Sequence, residues 1–176
     1  QLFYVGCESG DDFVLERVSK GETFASSLAA LRKIKAAGAK SSVMILNGMG
    51  GRRFSEQHAR HSALLMNEAQ PEYLSTLVVS FPLGMDRYQA GFEGAFEPLD
   101  QAGLFREMQV LLEHLQLEHT IFRSDHASNY LVLKGYNFSD SYALSVAHLA
   151  DRLKGGGGFA ASWPRATQFP NLRQRE

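Results

Sequence analysis

Two short apolar runs, each ending in a glycine-bearing turn, constrain the fold of this chain more than any other feature. Residues 2–10 read Leu-Phe-Tyr-Val-Gly-Cys-Glu-Ser-Gly, and residues 42–51 read Ser-Val-Met-Ile-Leu-Asn-Gly-Met-Gly-Gly. Runs of this length are typical of buried strands, and a helical pattern follows each of them. Repeated strand–helix units predict parallel strands whose carboxyl ends carry the functional loops.

The same periodicity predicts further elements along the chain. We expect strands at 2–7, 42–47, 73–81 and 119–123, and helices at 12–18, 24–37, 56–68, 101–115 and 139–154. Thr23 and Ser55 are expected to be N-caps, and Gly38 a C-cap. Residues 85–99 fit no clear pattern. The expected domain covers 1–154, and 155–176 is expected to be a glycine-rich linker with a loosely ordered tail.

Apolar residues at helical spacing indicate which helix faces are buried. In the helix 24–37 this face is formed by Leu28, Leu31 and Ile34. In the helix 101–115 it is formed by Leu104, Met108, Leu111, Leu112 and Leu115. Tyr88, Phe92 and Phe96 are spaced by four, which predicts a helical stripe used for core or interface packing.

Composition excludes several classes of protein. The 176 residues are 44% hydrophobic and 21% charged, with a net charge of −1, so no strong field favours nucleic acid or a membrane surface. Apolar runs fall short of the ~18 residues of a spanning helix. The single cysteine, Cys7, excludes an intrachain disulfide and suits a reducing compartment. We therefore expect a cytoplasmic protein without nucleic-acid or membrane partners.

The turn after the first strand and the loop after the second are the first candidate ligand sites. Glu8 and Ser9 could accept hydrogen bonds from a ligand, or could simply form a turn that begins a helix. The glycines of the second loop permit close approach to a ligand, or a plain strand-to-helix connection. The loop is not a nucleotide-triphosphate P-loop because no lysine follows its glycines. The three glycines concerned are Gly48, Gly50 and Gly51.

Two histidines and one polar segment are the remaining candidates for functional residues. His58 and His61 lie three residues apart, a spacing compatible with metal binding, although a surface or interface role is the preferred interpretation. The polar segment 123–130 follows a strand, which favours a substrate-facing loop built on Arg123, His126 and Asn129. Its consecutive polar residues cannot converge as a hydrolase triad requires. A metal-dependent hydrolase would have to use His58, His61, Asp125 and His126.

Over residues 2–154 these features together resemble the radical S-adenosylmethionine (radical SAM) superfamily, in its iron–sulfur oxidoreductase-like branch. The resembling segments lie in the order and spacing of that family's fourth strand, fifth strand, following helix and a branch-specific loop. They read Tyr-Val-Gly-Cys-Glu-Ser-Gly-Asp-Asp at 4–12, Asn-Gly-Met-Gly-Gly at 47–51, Ser-Glu-Gln-His-Ala at 55–59 and Phe-Arg-Ser-Asp-His-Ala-Ser-Asn-Tyr at 122–130.

The resemblance implies the carboxyl-terminal half of a (β/α)₆ TIM-like barrel, hence a partial barrel of parallel strands with flanking helices. In the full-length protein it implies an S-adenosylmethionine site and a [4Fe–4S] cluster that generate a 5′-deoxyadenosyl radical. Glu8 and Ser9 match a position facing the ribose or methionine part of that cofactor. Gly48, Gly50 and Gly51 match the loop near its adenine.

The chain departs from the family pattern in its cysteines. It has no C-x-x-x-C-x-x-C loop and no glycine-rich segment of the family's second strand. The resemblance therefore implies a truncated chain that is inactive alone and binds neither cofactor, with the missing amino-terminal half as its partner. An exposed edge at strand 2–7 would also permit self-association. The alternative is a non-catalytic nucleotide-binding or protein-interaction module of α/β fold.

Overall fold

The protein forms a four-stranded parallel sheet with flanking helices in a computed structural model, which describes residues 1–82 and 84–124. The strand order is β1-β2-β3-β4, and each neighbouring pair is parallel. The elements are β1 (Leu2–Glu8), α1 (Asp12–Arg17), α2 (Phe24–Ala36), β2 (Lys40–Asn47), α3 (Gly51–Ala69), β3 (Tyr73–Val78), α4 (Asp86–Gly91), α5 (Gln101–His114) and β4 (Ile121–Ser124). The predicted α/β class with parallel strands is confirmed.

The four strands expected in this part of the chain are all present, with shifts at their ends. The third strand ends at Val78 and not at Phe81, and the short helix α4 lies within the segment that had no assignment. The predicted helix 139–154 and the predicted tail 155–176 lie outside the described residues.

The hydrophobic core lies between one face of the sheet and the helices. Alternation along the strands turns the same set of positions toward the helices, and their side chains pack with buried residues of α2 and α3. The buried cluster consists of Cys7, Val43, Ile45 and Leu74 from the strands with Leu31, Leu65, Met66 and Ala69 from the helices. Alternate residues of β2, namely Ser42, Met44 and Leu46, are only partly buried.

Two of the three predicted caps are confirmed. The Thr23 side chain accepts a hydrogen bond from the Ser26 backbone, and Ser26 reciprocates in a capping box. Gly38 follows α2 with a φ of 69°. Ser55 is not an N-cap, since α3 begins at Gly51 and places Ser55 inside the helix. The glycines after β2 allow the chain to begin the helix earlier than the predicted cap at Ser55.

The apolar face of α5 is confirmed only in part. Leu111 is buried, but Leu112 is 45% exposed and does not belong to the face. Glu107 lies among these apolar positions and is 2% exposed. A buried carboxylate at this position requires polar partners, and these are found at the sheet edge described below.

The aromatic residues of the segment after β3 pack as predicted, although not as one helical stripe. The helix α4 ends at Gly91, so Phe96 reaches the cluster from the following turn. The Phe96 ring lies 4.9 Å from Tyr88 and 5.2 Å from Phe92, measured between centroids. Both phenylalanines are buried, and the cluster attaches α4 to the rest of the fold.

Among the described helices, none combines the length and the apolar character that a membrane span needs.

Candidate functional site

The turn after β1 and the loop after β2 lie at the same edge of the sheet. The two strands are parallel neighbours, with Val5 opposite Val43 and Gly6 opposite Met44. Their carboxyl ends therefore emerge side by side. In open parallel sheets this edge is where ligands commonly bind, so we take residues 8–11 and 48–51 as the candidate site.

Three side chains of α3 hold three consecutive residues of the first turn. The Ser9 hydroxyl lies 2.8 Å from Nδ1 of His58. The backbone N–H of Gly10 donates to the Ser62 hydroxyl at 3.0 Å. An Asp11 carboxylate oxygen lies 2.5 Å from Nδ1 of His61. Positions i, i+3 and i+4 of a helix share one face, so the spacing of these residues fits the turn.

Gly10 permits this close approach between the turn and α3. A Cβ atom at this position would lie 2.3 Å from the backbone oxygen of His61 and 2.9 Å from the Cα atom of Ser62. Both neighbours are helix backbone, which cannot move aside cheaply. The glycine is therefore required by packing inside the protein, independently of any ligand.

The two histidines have different environments, and the surface role expected for His58 is wrong. His58 is buried, with Nε2 lying 3.0 Å from the carbonyl oxygen of Leu46. A carbonyl only accepts, so Nε2 carries a proton and donates it in this hydrogen bond. His61 has a side chain that is 51% exposed. The described residues contain no group of three potential metal ligands.

Glu8 stands at the end of β1 with strained backbone geometry. Its φ is 65°, a value that non-glycine residues rarely adopt, and the strand register shifts between Gly6 and Glu8. Its carboxylate forms a 2.7 Å ion pair with Lys20 and is partly exposed. Ser9 is buried, and its hydroxyl also accepts the Asp11 N–H at 2.9 Å. Of the two, Glu8 is the side chain that can reach a ligand.

The glycines of the second loop lie against the protein itself. Gly48 and Gly51 have φ values of 85° and 60°. A Cβ atom at Gly51 would lie 2.8 Å from the backbone oxygen of Glu97, and one at Gly50 would lie 2.9 Å from that of Phe54. These contacts explain all three glycines by backbone conformation and close packing.

The carboxylate of Glu107, in α5, accepts two hydrogen bonds that hold this loop in place. One carboxylate oxygen accepts the Gly48 N–H at 2.6 Å, and the other accepts the Ser55 hydroxyl at 2.6 Å. The first oxygen also lies 3.9 Å from Nε2 of His58. Burial raises the pKa of the Glu107 carboxyl, while His58 and the two donors oppose that shift.

The remaining predicted residues lie apart from this edge or outside the described part. Arg123 lies on β4, where its position in the register is opposite Ser75, and it is exposed. The predicted loop residues His126 and Asn129 lie outside the described residues. The structure thus brings together the Glu8 turn and the glycine loop, and it does not bring Arg123 into the described site.

The residues of this chain do not fit a [4Fe–4S] cluster. Such clusters are bound by several cysteine thiolates, and Cys7 is the one cysteine of the chain. Its side chain is buried in the core, and burial raises the pKa of the thiol to about 11. A thiol that stays protonated at neutral pH is a poor metal ligand.

Comparison with known proteins assigns the chain to no family. No protein-family model matches its sequence, and no curated protein matches it significantly.

Sequence reasoning missed the residues that connect the two loops. Glu107 was a visible signal, because it is an acidic residue within the apolar stripe of α5. The spacing of His58 from His61 is compatible with metal binding and favours a surface or interface role, and it does not indicate a buried hydrogen bond to Ser9. Both residues act through partners more than forty positions away, which sequence periodicity does not reveal.

Proposed function

We propose that this chain is the carboxyl-terminal part of a radical SAM barrel, of the iron–sulfur oxidoreductase-like branch, in which Glu8 and the glycine loop line the S-adenosylmethionine site. The observation that carries the proposal is the order of motifs along residues 2–130 together with adjacent parallel strands that bring two of them to one edge. In this proposal the full-length protein binds the cofactor and a [4Fe–4S] cluster and generates the radical.

The chemistry divides between the two halves of such a barrel. Because this chain has one cysteine, every cluster ligand has to come from the amino-terminal half, which is the proposed partner. This chain contributes the carboxylate of Glu8, which can accept hydrogen bonds from hydroxyl or ammonium groups. When bound, S-adenosylmethionine would supply the reactive carbon–sulfur bond. The chain alone is expected to bind neither group.

The sequence that precedes this chain in its source gene tests the proposal most directly. We expect a C-x-x-x-C-x-x-C loop in the preceding residues, since this is where the family places its cluster ligands. A preceding sequence without that loop would refute an active radical SAM enzyme.

A binding experiment on the extended protein tests the role of Glu8. With the preceding half present and its cluster reconstituted, Glu8→Gln should weaken S-adenosylmethionine binding about tenfold, because charge-assisted hydrogen bonds contribute ~1.5 kcal/mol or more. Glu113→Gln, which changes an exposed carboxylate on α5, is the matched control and should bind normally. Equal affinity of both variants would remove Glu8 from the site.

The second candidate is a non-catalytic nucleotide-binding or protein-interaction module. The single cysteine favours it, because this chain by itself holds no cluster. Isothermal titration of the chain with S-adenosylmethionine discriminates between the two. Micromolar binding in the absence of iron would favour the module, and no detectable binding is what the truncated-barrel proposal predicts.

The edge of β1 supports a further part of the proposal, which concerns partners. β1 is at the end of the strand order, and Leu2, Phe3 and Tyr4 are exposed in succession. In the proposed barrel this edge pairs with the neighbouring strand of the amino-terminal half. Without that half, we propose that the same edge drives self-association of the chain.

A further inference from the structure

A buried path of hydrogen bonds and one electrostatic contact connects the two loops of the candidate site through one side chain, His58. It begins at the Ser9 hydroxyl, 2.8 Å from Nδ1 of His58, and continues across the imidazole ring. From Nε2 a hydrogen bond reaches the Leu46 carbonyl oxygen at 3.0 Å. The Glu107 carboxylate, 3.9 Å from Nε2, makes an electrostatic contact and not a hydrogen bond. Ser9, His58 and Glu107 are all buried, so water does not compete for these bonds.

Each end of the path fixes the backbone of one loop. At one end the Ser9 hydroxyl accepts the Asp11 N–H. At the other end Glu107 accepts the Gly48 N–H. Leu46, whose carbonyl is bonded to His58, lies in β2 two residues before Gly48, where the glycine loop begins. The backbone geometry of both loops therefore depends on His58.

We infer that His58 is a positioning residue that couples the turn 8–11 to the loop 48–51. Moving the turn breaks the bond between Ser9 and the ring, and moving the end of β2 that leads into the glycine loop breaks the bond between Leu46 and the ring. A buried polar group without its partner is costly. The ring consequently favours one arrangement of both loops together. The inference deepens the proposed function, because it says how the two halves of the proposed cofactor site keep their spacing.

The same three residue types occur in hydrolase triads, but here their geometry excludes that role. A nucleophilic serine has to be open to its substrate, whereas Ser9 is 0% exposed. The N–H group at Nε2 donates its hydrogen bond to the Leu46 carbonyl oxygen. The Glu107 oxygen lies beyond hydrogen-bond distance of Nε2. The arrangement is suited to holding backbone in place.

Amide hydrogen exchange on the full chain tests the coupling. In Ser9→Ala we expect the Gly48 amide to exchange about tenfold faster, the factor for losing roughly one hydrogen bond. The Ser9 hydroxyl bonds to His58 and to the Asp11 N–H, and of these two partners His58 is the one in contact with Leu46 and Glu107. An effect at Gly48 is therefore expected to pass through His58. In Glu107→Gln, conversely, the Asp11 amide should exchange faster.

Ser27→Ala is the matched control, since Ser27 is also a buried serine but belongs to α2. It should leave the Gly48 and Asp11 amides unchanged relative to the global exchange rate. Faster exchange confined to the turn 8–11 in Ser9→Ala and confined to the loop 48–51 in Glu107→Gln would overturn the coupling.

A second measurement keeps the test decisive if Ser9→Ala does not fold. Glu107→Gln can keep both bonds, because the amide oxygen can accept from Gly48 while the amide nitrogen donates to the Ser55 hydroxyl. It removes the carboxylate charge that lies 3.9 Å from Nε2 of His58. The ring nitrogen resonances of His58 and the Asp11 amide exchange are then followed in this variant. Shifts in both support the coupling, and a change at the Gly48 loop alone overturns it.

The outcome is separable from that of the proposed function. These measurements use the chain without ligand, so failure of cofactor binding in the extended protein would refute the cofactor site and leave the coupling intact. Independent exchange of the two loops would refute the coupling and leave the cofactor proposal standing.

Discussion

At the scale of single residues, close packing and buried charge decide what the candidate site tolerates. The turn after β1 and the helix α3 are in backbone contact at Gly10, and the loop after β2 rests on the carboxylate of Glu107. Neither residue needs to touch a ligand to be indispensable for the shape of the site. Two substitutions test this view.

We expect Gly10→Ala to destabilise the chain by about 3 kcal/mol, near the upper end for overpacking, because its Cβ would overlap the backbone of α3. Urea unfolding measures the loss. Gly38→Ala is the control: that glycine has open space around it and a φ of 69°, so it should cost only about 1 kcal/mol through strain. A loss at Gly10 no larger than at Gly38 would contradict the packing argument.

Glu107 should make stability depend on pH. Burial raises the pKa of its carboxyl, so the folded chain binds this proton more tightly than the unfolded chain does. The free energy of unfolding therefore falls as the pH rises from the ordinary carboxyl pKa, about 4.3, to the raised value. Glu107→Gln carries no titrating proton and should lack this fall.

The comparison is made by urea unfolding of both proteins over a pH series. Relative to the wild type, Glu107→Gln should gain stability as the pH rises through that window. Glu113→Gln, at an exposed position, is the control and should keep the fall in stability that the wild type shows over this window. A wild-type–Glu107→Gln difference that is constant with pH would mean that burial does not shift this carboxyl.

At the scale of elements, the aromatic cluster explains how a short helix without a buried residue of its own is held. The helix α4 has six residues, none of them buried, which is too short for stability by itself. Its Tyr88 packs against Phe81 and Phe96, with centroids 4.9 Å away in each case. Tertiary packing therefore supplies the stability that the helix lacks.

Phe96→Ala should remove this anchor and cost about 3–5 kcal/mol, the range for truncating a buried phenylalanine. Urea unfolding gives the loss, and proteolysis near residues 86–91 should become faster than in the wild type. Phe3→Ala, at an exposed position on β1, is the control and should cost well under that amount. Similar losses for both would show that the cluster is not the anchor.

At the scale of the whole molecule, the property with the largest expected consequence is the edge at β1, which pairs with no second strand among the described residues. β1 is an edge strand whose first three residues are large, apolar and exposed, and Tyr4 is 75% exposed. In monomeric proteins, edge strands usually carry charges or bulges that oppose pairing with another chain. Here the bulge lies only at the far end of the strand, between Gly6 and Glu8.

We therefore expect the chain to self-associate as its concentration rises. Tyr4→Lys should raise the concentration needed for association at least tenfold, which corresponds to a loss of about 1.4 kcal/mol of association free energy. Sedimentation velocity measures the change. Leu64→Lys replaces another exposed apolar residue, on α3, and should associate as the wild type does. A wild type that stays monomeric at high concentration would refute association through β1.

Most of the described fold was predictable because it rests on local rules. Apolar strand runs, the capping residue Thr23 and the terminating Gly38 each act over a few positions, and all appear where expected. The errors arose where distant contacts override the local pattern. Ser55 lies inside α3, which begins at Gly51. Glu107 is buried with hydrogen bonds to Gly48 and Ser55, whereas Leu112 of the predicted apolar face is exposed.

The sequence by itself determined the α/β class, the parallel strands and the two loops that end at one edge, since periodicity and turn chemistry are local properties. It also suggested the family to which we assign the chain in our proposal. Only the tertiary structure decided how those loops are held. The bonds of His58 to Ser9 and of Glu107 to Gly48 join residues 49 and 59 positions apart, and pairing over such separations follows from packing, which no local pattern encodes.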